Sequence, residues 1–384
     1  MKKAKEIISF IKSSFPHKKD LIPVHEPFFG GNEKQYLIDC IDSTFVSSVG
    51  PFVNKVEAEL EKICSVKKAV AVVNGTAALH TALHVLGVEN GNEVITQSLT
   101  FVATANAIKY CGASPIFIDV DIDTMGMSPD SLSKFLESNA IIKNGQCFNK
   151  SSGAKISACI PMHTYGFPVR IEEICEICCN WNIPVVEDAA EGLGSKYKNK
   201  ALGTFGDIGT LSFNGNKIIT AGGGGAILTD NLEYAKKAKH ITSTSKISNT
   251  FEFHHDQLGF NYRMPNLNAS LLLAQLEQID TFLSNKRDLA NLYKKYFDSI
   301  GIKFRYENSN SKVNYWLMCL EFKTKKDRDL FLIESNKSGV LTRPVWELMH
   351  TLPMYCNCNS DEQKNAIYLQ ERIVNIPSSY RYIK

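Results

Sequence analysis

A lysine set between a strand-like run and a cluster of glycines is where reactive chemistry first concentrates in this chain. Lys217 closes the segment Leu211-Ser-Phe-Asn-Gly-Asn-Lys217, ahead of the glycine run 222–225 and just after the hydroxyl of Ser212. Upstream, the apolar run 183–186 ends on Glu187-Asp188, and Glu191 follows. A strand-end carboxylate and a loop lysine are the two groups that pyridoxal phosphate chemistry requires. The amine forms a Schiff base with the cofactor aldehyde, and the carboxylate keeps the pyridine nitrogen protonated so that the ring accepts electrons. Each residue taken alone has a plainer reading: Lys217 as a surface lysine, Asp188 as a loop aspartate.

Two further loops fit the same chemistry. In Val73-Asn74-Gly75-Thr76-Ala77 a strand ends, a glycine permits a tight turn, and a helix begins at a hydroxyl residue suited to cap it. Free amides at such a helix start favour an anion by roughly 0.3 to 2 kcal/mol. In Ser98-Leu-Thr-Phe101, Phe101 follows a strand end and precedes a helix of small residues. It could stack on a pyridine ring, gaining about 0.5 to 1.5 kcal/mol beyond its buried area, or simply lie in the core. Ser212 and the Gly75-Thr76 amides would then hold a phosphate on the far side of that ring. Phosphate turn, aromatic, aspartate, serine and lysine each fall at an expected strand end, which is where open α/β sheets place their ligands.

The elements that must position these groups alternate along the chain. Strands are expected at 69–73, 93–96, 115–118, 156–160, 184–187, 209–213 and 226–229, with helices at 76–86, 103–110, 129–138 and 171–182. That alternation predicts an α/β fold, with a mostly parallel central sheet covered by helices on both faces. The polar stretch 143–153 reads as a surface loop. Residues 265–300 read as one long helical stretch broken once near Ser284, and a smaller α+β domain follows. The expected organisation is an N-terminal helical extension (1–22), a large domain (23–265), and a long helix with a small C-terminal domain (266–384). Ile7, Ile8, Ile11 and Phe15 share one helical face, so the extension should pack on the body of the protein or on a partner subunit.

Composition narrows the function. Over 384 residues the net charge is +3, with 44% hydrophobic and 22% charged residues. These values suit a soluble enzyme and offer no electrostatic case for nucleic acid. No apolar run reaches transmembrane length, and Glu6, Lys12 and Lys18 interrupt what a signal peptide would need. The eleven cysteines form no disulfide framework. Cys175, Cys178 and Cys179 lie on one expected amphipathic helix without a second ligand pair, which favours free thiols over a metal site. A reducing, cytoplasmic setting and no metal are expected.

Several segments together resemble the DegT-type sugar aminotransferases. These are Asn74-Gly-Thr-Ala-Ala-Leu79, Thr100-Phe-Val-Ala-Thr-Ala-Asn-Ala107, Glu187-Asp-Ala-Ala-Glu-Gly-Leu-Gly-Ser195, Gly203-Thr-Phe-Gly-Asp207, Ser212-Phe-Asn-Gly-Asn-Lys217 and Gly259-Phe-Asn-Tyr-Arg-Met264. The resemblance implies pyridoxal 5'-phosphate on fold type I, and amination of a nucleotide-linked ketosugar with L-glutamate as the donor. It implies that Lys217 carries the Schiff base, Asp188 pairs with the ring nitrogen and Phe101 stacks on the ring. Thr76, Ala77 and Ser212 would bind the phosphate, and Glu191 would lie near the cofactor hydroxyl. Asn261 would reach the phosphate in a neighbouring subunit, which implies a homodimer with shared active sites. Relatives that carry histidine in place of the lysine perform dehydration, and Lys217 argues against that branch.

Three segments, His25 to Glu33, Asp42 to Gly50 and Thr342 to His350, resemble a narrower group that aminates C4 of UDP-4-keto-6-deoxy-N-acetylglucosamine. Three alternatives stay open at this point. They are a family member acting on another sugar, including a GDP- or dTDP-linked sugar or a free sugar acid; a related enzyme acting on amino acids alone; and a non-catalytic protein of the same fold.

Overall fold

The computed structural model describes residues 2–18, 20–247 and 251–382. Seven short apolar strands, most of them five residues long, account for the central sheet. They are β1 (Lys68–Val72), β2 (Glu93–Gln97), β3 (Ser114–Ile118), β4 (Ile156–Ile160), β5 (Val186–Asp188), β6 (Ile208–Ser212) and β7 (Gly225–Thr229). Their order is β1-β7-β6-β5 on one side and β4-β2-β3 on the other. Parallel bridges Cys159–Val185 and Met162–Asp188 join the halves. Only β7 runs against the rest, pairing antiparallel with β1 and β6. The carboxyl ends of β1, β2, β5 and β6 therefore lie along one edge.

The two-residue side-chain period of a strand divides the core into two layers. Val70 and Val72 of β1 face a cluster with Val94, Ile160, Val186 and Ile227, covered by α4 (Gly75–Val85), α5 (Val102–Tyr110) and α8 (Leu232–Thr242). Ala69 and Ala71 face the other cluster, with Ile95, Ile116, Val185 and Leu228. That second layer takes in α3 (Pro51–Cys64), α6 (Pro129–Asn139), α7 (Ile171–Asn180), α9 (Asn266–Leu276) and α10 (Ile279–Ser299). It continues into a second, antiparallel sheet ordered β8 (Lys303–Phe304), β9 (Met318–Glu321), β11 (Ile373–Ile376) and β10 (Arg343–Pro344).

Three expectations needed correction or sharpening. The stretch 143–153 is not a plain loop: strands Ala140–Lys143 and Gln146–Asn149 form an antiparallel hairpin. Asn144 and Gly145 both take positive φ there, the backbone that a two-residue hairpin turn demands. The long helical stretch breaks at Glu277-Gln278 rather than near Ser284. The cause lies far away in sequence, because Glu33 accepts from Gln275 and Gln278, while Tyr36 and Asn32 donate to Glu277. The start of α2 (Glu33–Asp42) thus wedges into the junction. The extension forms α1 (Lys2–Ser14) and packs on the body of its own chain, where the Phe10 and Tyr296 rings stack with centroids 3.5 Å apart.

Ile7 and Ile11 on α1 are fully buried. Ile11→Ala should therefore lower stability in urea unfolding by about 2 to 4 kcal/mol. Lys12→Ala, on the exposed face, should change it by less than about 0.5 kcal/mol.

Candidate active site

Each loop at the carboxyl edge of the sheet delivers one part of the site. After β1, Asn74 caps α4 from an extended backbone, its Oδ1 accepting from the Ala77 amide at 2.8 Å. The cap is therefore Asn74 and not Thr76, because the side chain must precede the first turn to reach its amides. This ties up the amide of Ala77 while those of Gly75 and Thr76 donate to nothing among the described residues. A Cβ on Gly75 would stand 2.9 Å from Cβ of Ser212, so only glycine lets this helix start approach the end of β6. The two amides and the Ser212 hydroxyl face a common space, an arrangement suited to an anion.

Asp188 ends β5 and is 3% exposed. Its Oδ2 accepts from Thr104 Oγ1 at 2.6 Å and its Oδ1 from the Ala190 amide at 3.2 Å. No cation lies in ion-pair contact with it among the described residues. Burial pushes its carboxyl above the ordinary range, against the pull of Thr104, Ala190 and the more distant Lys217. Its neighbour Glu187 is also buried but points elsewhere. It accepts from His163 and from the amides of Gly203, Phe205 and Gly206, which makes it a structural brace.

Lys217 sits on the turn after β6, its Nζ 3.2 Å from Glu191 Oε1 and 4.0 Å from the centroid of the Trp316 ring. Glu191 Oε2 accepts from the Tyr165 amide at 2.7 Å. Burial pushes Glu191 up to about 7, although Lys217 works in the opposite direction. Phe101 precedes α5 and is 49% exposed, so it lies at the cavity wall and not in the core.

Asn74, Thr76, Phe101, Asp188, Glu191, Ser212 and Lys217 thus line one cavity of about 230 Å³. A second cavity of about 630 Å³ shares Phe101, Glu191, Asn214 and Lys217 with it and extends past His25, Arg343 and Trp346. Asn261 lies outside both, exposed on a bridge to Ser243. Sequence reasoning missed Thr104 and Trp316, whose partners are remote in the chain. The segment 342–350 was noticed as a marker, but nothing in its spacing showed that it walls the larger cavity.

The residues present fit pyridoxal phosphate on their own chemistry. A buried carboxylate without a cation matches a protonated ring nitrogen, and free helix amides with a hydroxyl match a phosphate. A half-exposed phenyl ring and a lysine amine complete the set.

One prediction concerns Glu191 in the cofactor-free protein. From about 4.5 to about 7, folded Glu191 keeps a proton that the unfolded chain has released. Stability contributed through this group therefore falls as pH rises through that window and is level above it. Glu191→Gln should remove part of that fall from the profile of melting temperature against pH. An unchanged slope in the variant would assign the effect to another group.

Comparison with known proteins agrees with this geometry. The model of the DegT/DnrJ/EryC1/StrS aminotransferase family matches residues 28–382. The chain is 39% identical over 359 residues to GDP-perosamine synthase of Escherichia coli O157:H7, covering 93% of each chain. It is 34% identical over 366 residues to GDP-perosamine synthase of Vibrio cholerae, covering 93% of this chain and 94% of the relative. Its fold is similar to the crystal structure of the aminotransferase TlmJ from Streptoalloteichus hindustanus, with a TM-score of 0.85, 24% identity and 95% of both chains covered.

Proposed function

Since the chain belongs to the DegT/DnrJ/EryC1/StrS aminotransferase family, and is with it a pyridoxal-phosphate-dependent sugar aminotransferase, we propose a specific reaction for it. It moves an amino group from L-glutamate onto the keto carbon of a GDP-linked 4-keto-6-deoxy sugar, leaving 2-oxoglutarate and an amino sugar. The observation that carries this reading is the shared wall of the two cavities. A sugar in the larger one faces Lys217 and the cofactor space across Phe101 and Glu191. Arg343 and Trp346 on that larger wall offer a cation for a diphosphate and a ring face for a base. The relatives named GDP-perosamine synthase support GDP as the nucleotide. The UDP-linked N-acetyl sugar expected from segments 25–33, 42–50 and 342–350 is the second reading.

Bound pyridoxal phosphate supplies the electron sink that lets a C–H bond beside nitrogen ionise. Asp188 holds the ring-nitrogen proton, and its burial strengthens that charge-assisted hydrogen bond. Gly75, Thr76 and Ser212 fix the phosphate; Ala77 contributes by holding the helix start in place through Asn74. Phe101 covers one ring face and keeps water from it. Lys217 Nζ takes the proton from the donor α-carbon and returns one when the sugar is aminated, with Glu191 Oε1 as its carboxylate partner.

Asn261 is proposed to reach the phosphate of the other subunit in a homodimer. Two observations support this: it is exposed outside its own cavity, and Ile38, Ile41, Phe45 and Val49 stand 51%, 59%, 56% and 60% exposed on the single chain.

The test of substrate is to load the enzyme with pyridoxamine phosphate and offer GDP-, UDP- and dTDP-linked 4-keto-6-deoxy sugars. Return of the pyridoxal phosphate absorbance and the product mass give the answer. GDP sugar should react fastest; faster reaction of the UDP sugar establishes the second reading, and silence from all three sinks both. Lys217→Ala should lower steady-state turnover by about a thousandfold or more, and full turnover in that variant would refute its role. Lys217→Ala and Asn261→Ala chains, each impaired alone, should regain activity when assembled together, since one site of each mixed dimer is intact. Failure to complement would place Asn261 outside the partner's site.

A further inference from the structure

Trp316 touches both Lys217 and the backbone that carries it. The indole is 4% exposed and presents its face to Lys217 Nζ at 4.0 Å. Its ring N–H donates to the carbonyl of Asn216, the residue immediately before Lys217, at 2.6 Å. One side chain thus grips the turn and offers a π-face to the amine at its tip.

Trp316 is itself held on three sides. Its carbonyl accepts from Ser378 Oγ at 2.7 Å and from the buried Lys286 Nζ at 3.3 Å. Its amide donates to Asn314 Oδ1 at 2.9 Å, and Asn314 Nδ2 in turn donates to the carbonyls of Glu191 and Leu193. The ring face, the Glu191 turn and the Lys217 turn are therefore linked through one set of hydrogen bonds.

We propose that Trp316 is the resting place of the Lys217 amine, holding its ammonium between the indole face and the Glu191 carboxylate whenever the amine is not bonded to the cofactor. The proposal rests on Lys217 being the reactive amine. A cation over an aromatic face is attracted by the ring quadrupole, and more strongly where water is excluded. The rest position keeps the ammonium out of ion-pair contact with Asp188, whose carboxylate stays free for the ring nitrogen. It also keeps the amine within reach of both cavities, so the proton carrier does not swing into solvent between half-reactions. Trp316 touches the reacting nitrogen, whereas Asn314, Lys286 and Ser378 act through it as positioning residues.

The test uses cofactor-free protein carrying carbon-13 at lysine Cε. Ring current moves a methylene lying over an indole upfield, so the signal assigned to Lys217 should stand upfield of the lysines that meet no ring; Lys246, over Phe253, is set apart by its persistence in Lys217→Met. The Lys217 signal should vanish in Lys217→Met, rejoin the others in Trp316→Leu, and keep part of its displacement in Trp316→Phe, which retains a ring face. The rate at which pyridoxal phosphate becomes trappable by borohydride should fall about tenfold in Trp316→Leu and less in Trp316→Phe. An absence of any upfield Lys217 signal in the wild type overturns the proposal even if both variants fail to fold. So does a Trp316→Leu protein with the wild-type signal or the wild-type trapping rate. Undiminished trapping in Lys217→Met would instead overturn the role of Lys217 itself, whatever Trp316 does.

Discussion

The carboxylate of Asp188 is shut away from water with two neutral donors and, among the described residues, no cation in contact, and the surrounding site is arranged about that unbalanced charge. Removing a carboxylate from water is costly unless a partner restores the lost solvation. Thr104 and the Ala190 amide do part of this. In the proposed pairing a protonated ring nitrogen would supply the remainder, so the same burial that strains the free protein would favour the cofactor. The lysine that would otherwise neutralise Asp188 is drawn off toward Glu191 and Trp316.

That division of charges depends on backbone architecture. Because β5 and β6 are parallel neighbours, their carboxyl ends deliver Asp188 and Ser212 to the same edge. Strand β7, running the opposite way between β6 and β1, brings Gly225 beneath Asn74, where a Cβ would meet the Asn74 carbonyl group at 2.5 Å. The start of α4 can then settle against Ser212. Anion site, ring-nitrogen partner and amine consequently meet in one cavity although they come from separate loops.

The larger cavity has a different origin. Its walls come from the N-terminal segment around His25, from Trp316 and Leu317 just ahead of β9, and from the segment 341–347 that carries β10, and so in large part from the layer that holds the second sheet. Hydrogen bonds from Trp316 and Asn314 bind that layer to the Lys217 and Glu191 turns. Rearrangement of that wall would therefore be felt at the Lys217 amine through short polar contacts.

Much of this was legible in the chain itself. Apolar runs of strand length, alternating with helical segments, defined the parallel sheet, and Asp188, Ser212, Phe101 and Lys217 could be assigned to strand ends because local pattern sets where strands stop. The hairpin at Asn144-Gly145 was read as part of a plain loop, although an Asn-Gly pair between short strands is itself a hairpin signal. What only the tertiary structure decided were partnerships between distant segments: Glu33 breaking the long helix at Gln278, Thr104 supporting Asp188, and Trp316 receiving Lys217. Such contacts arise from how layers pack, and side-chain periodicity says which face a residue occupies without saying what will lie opposite it.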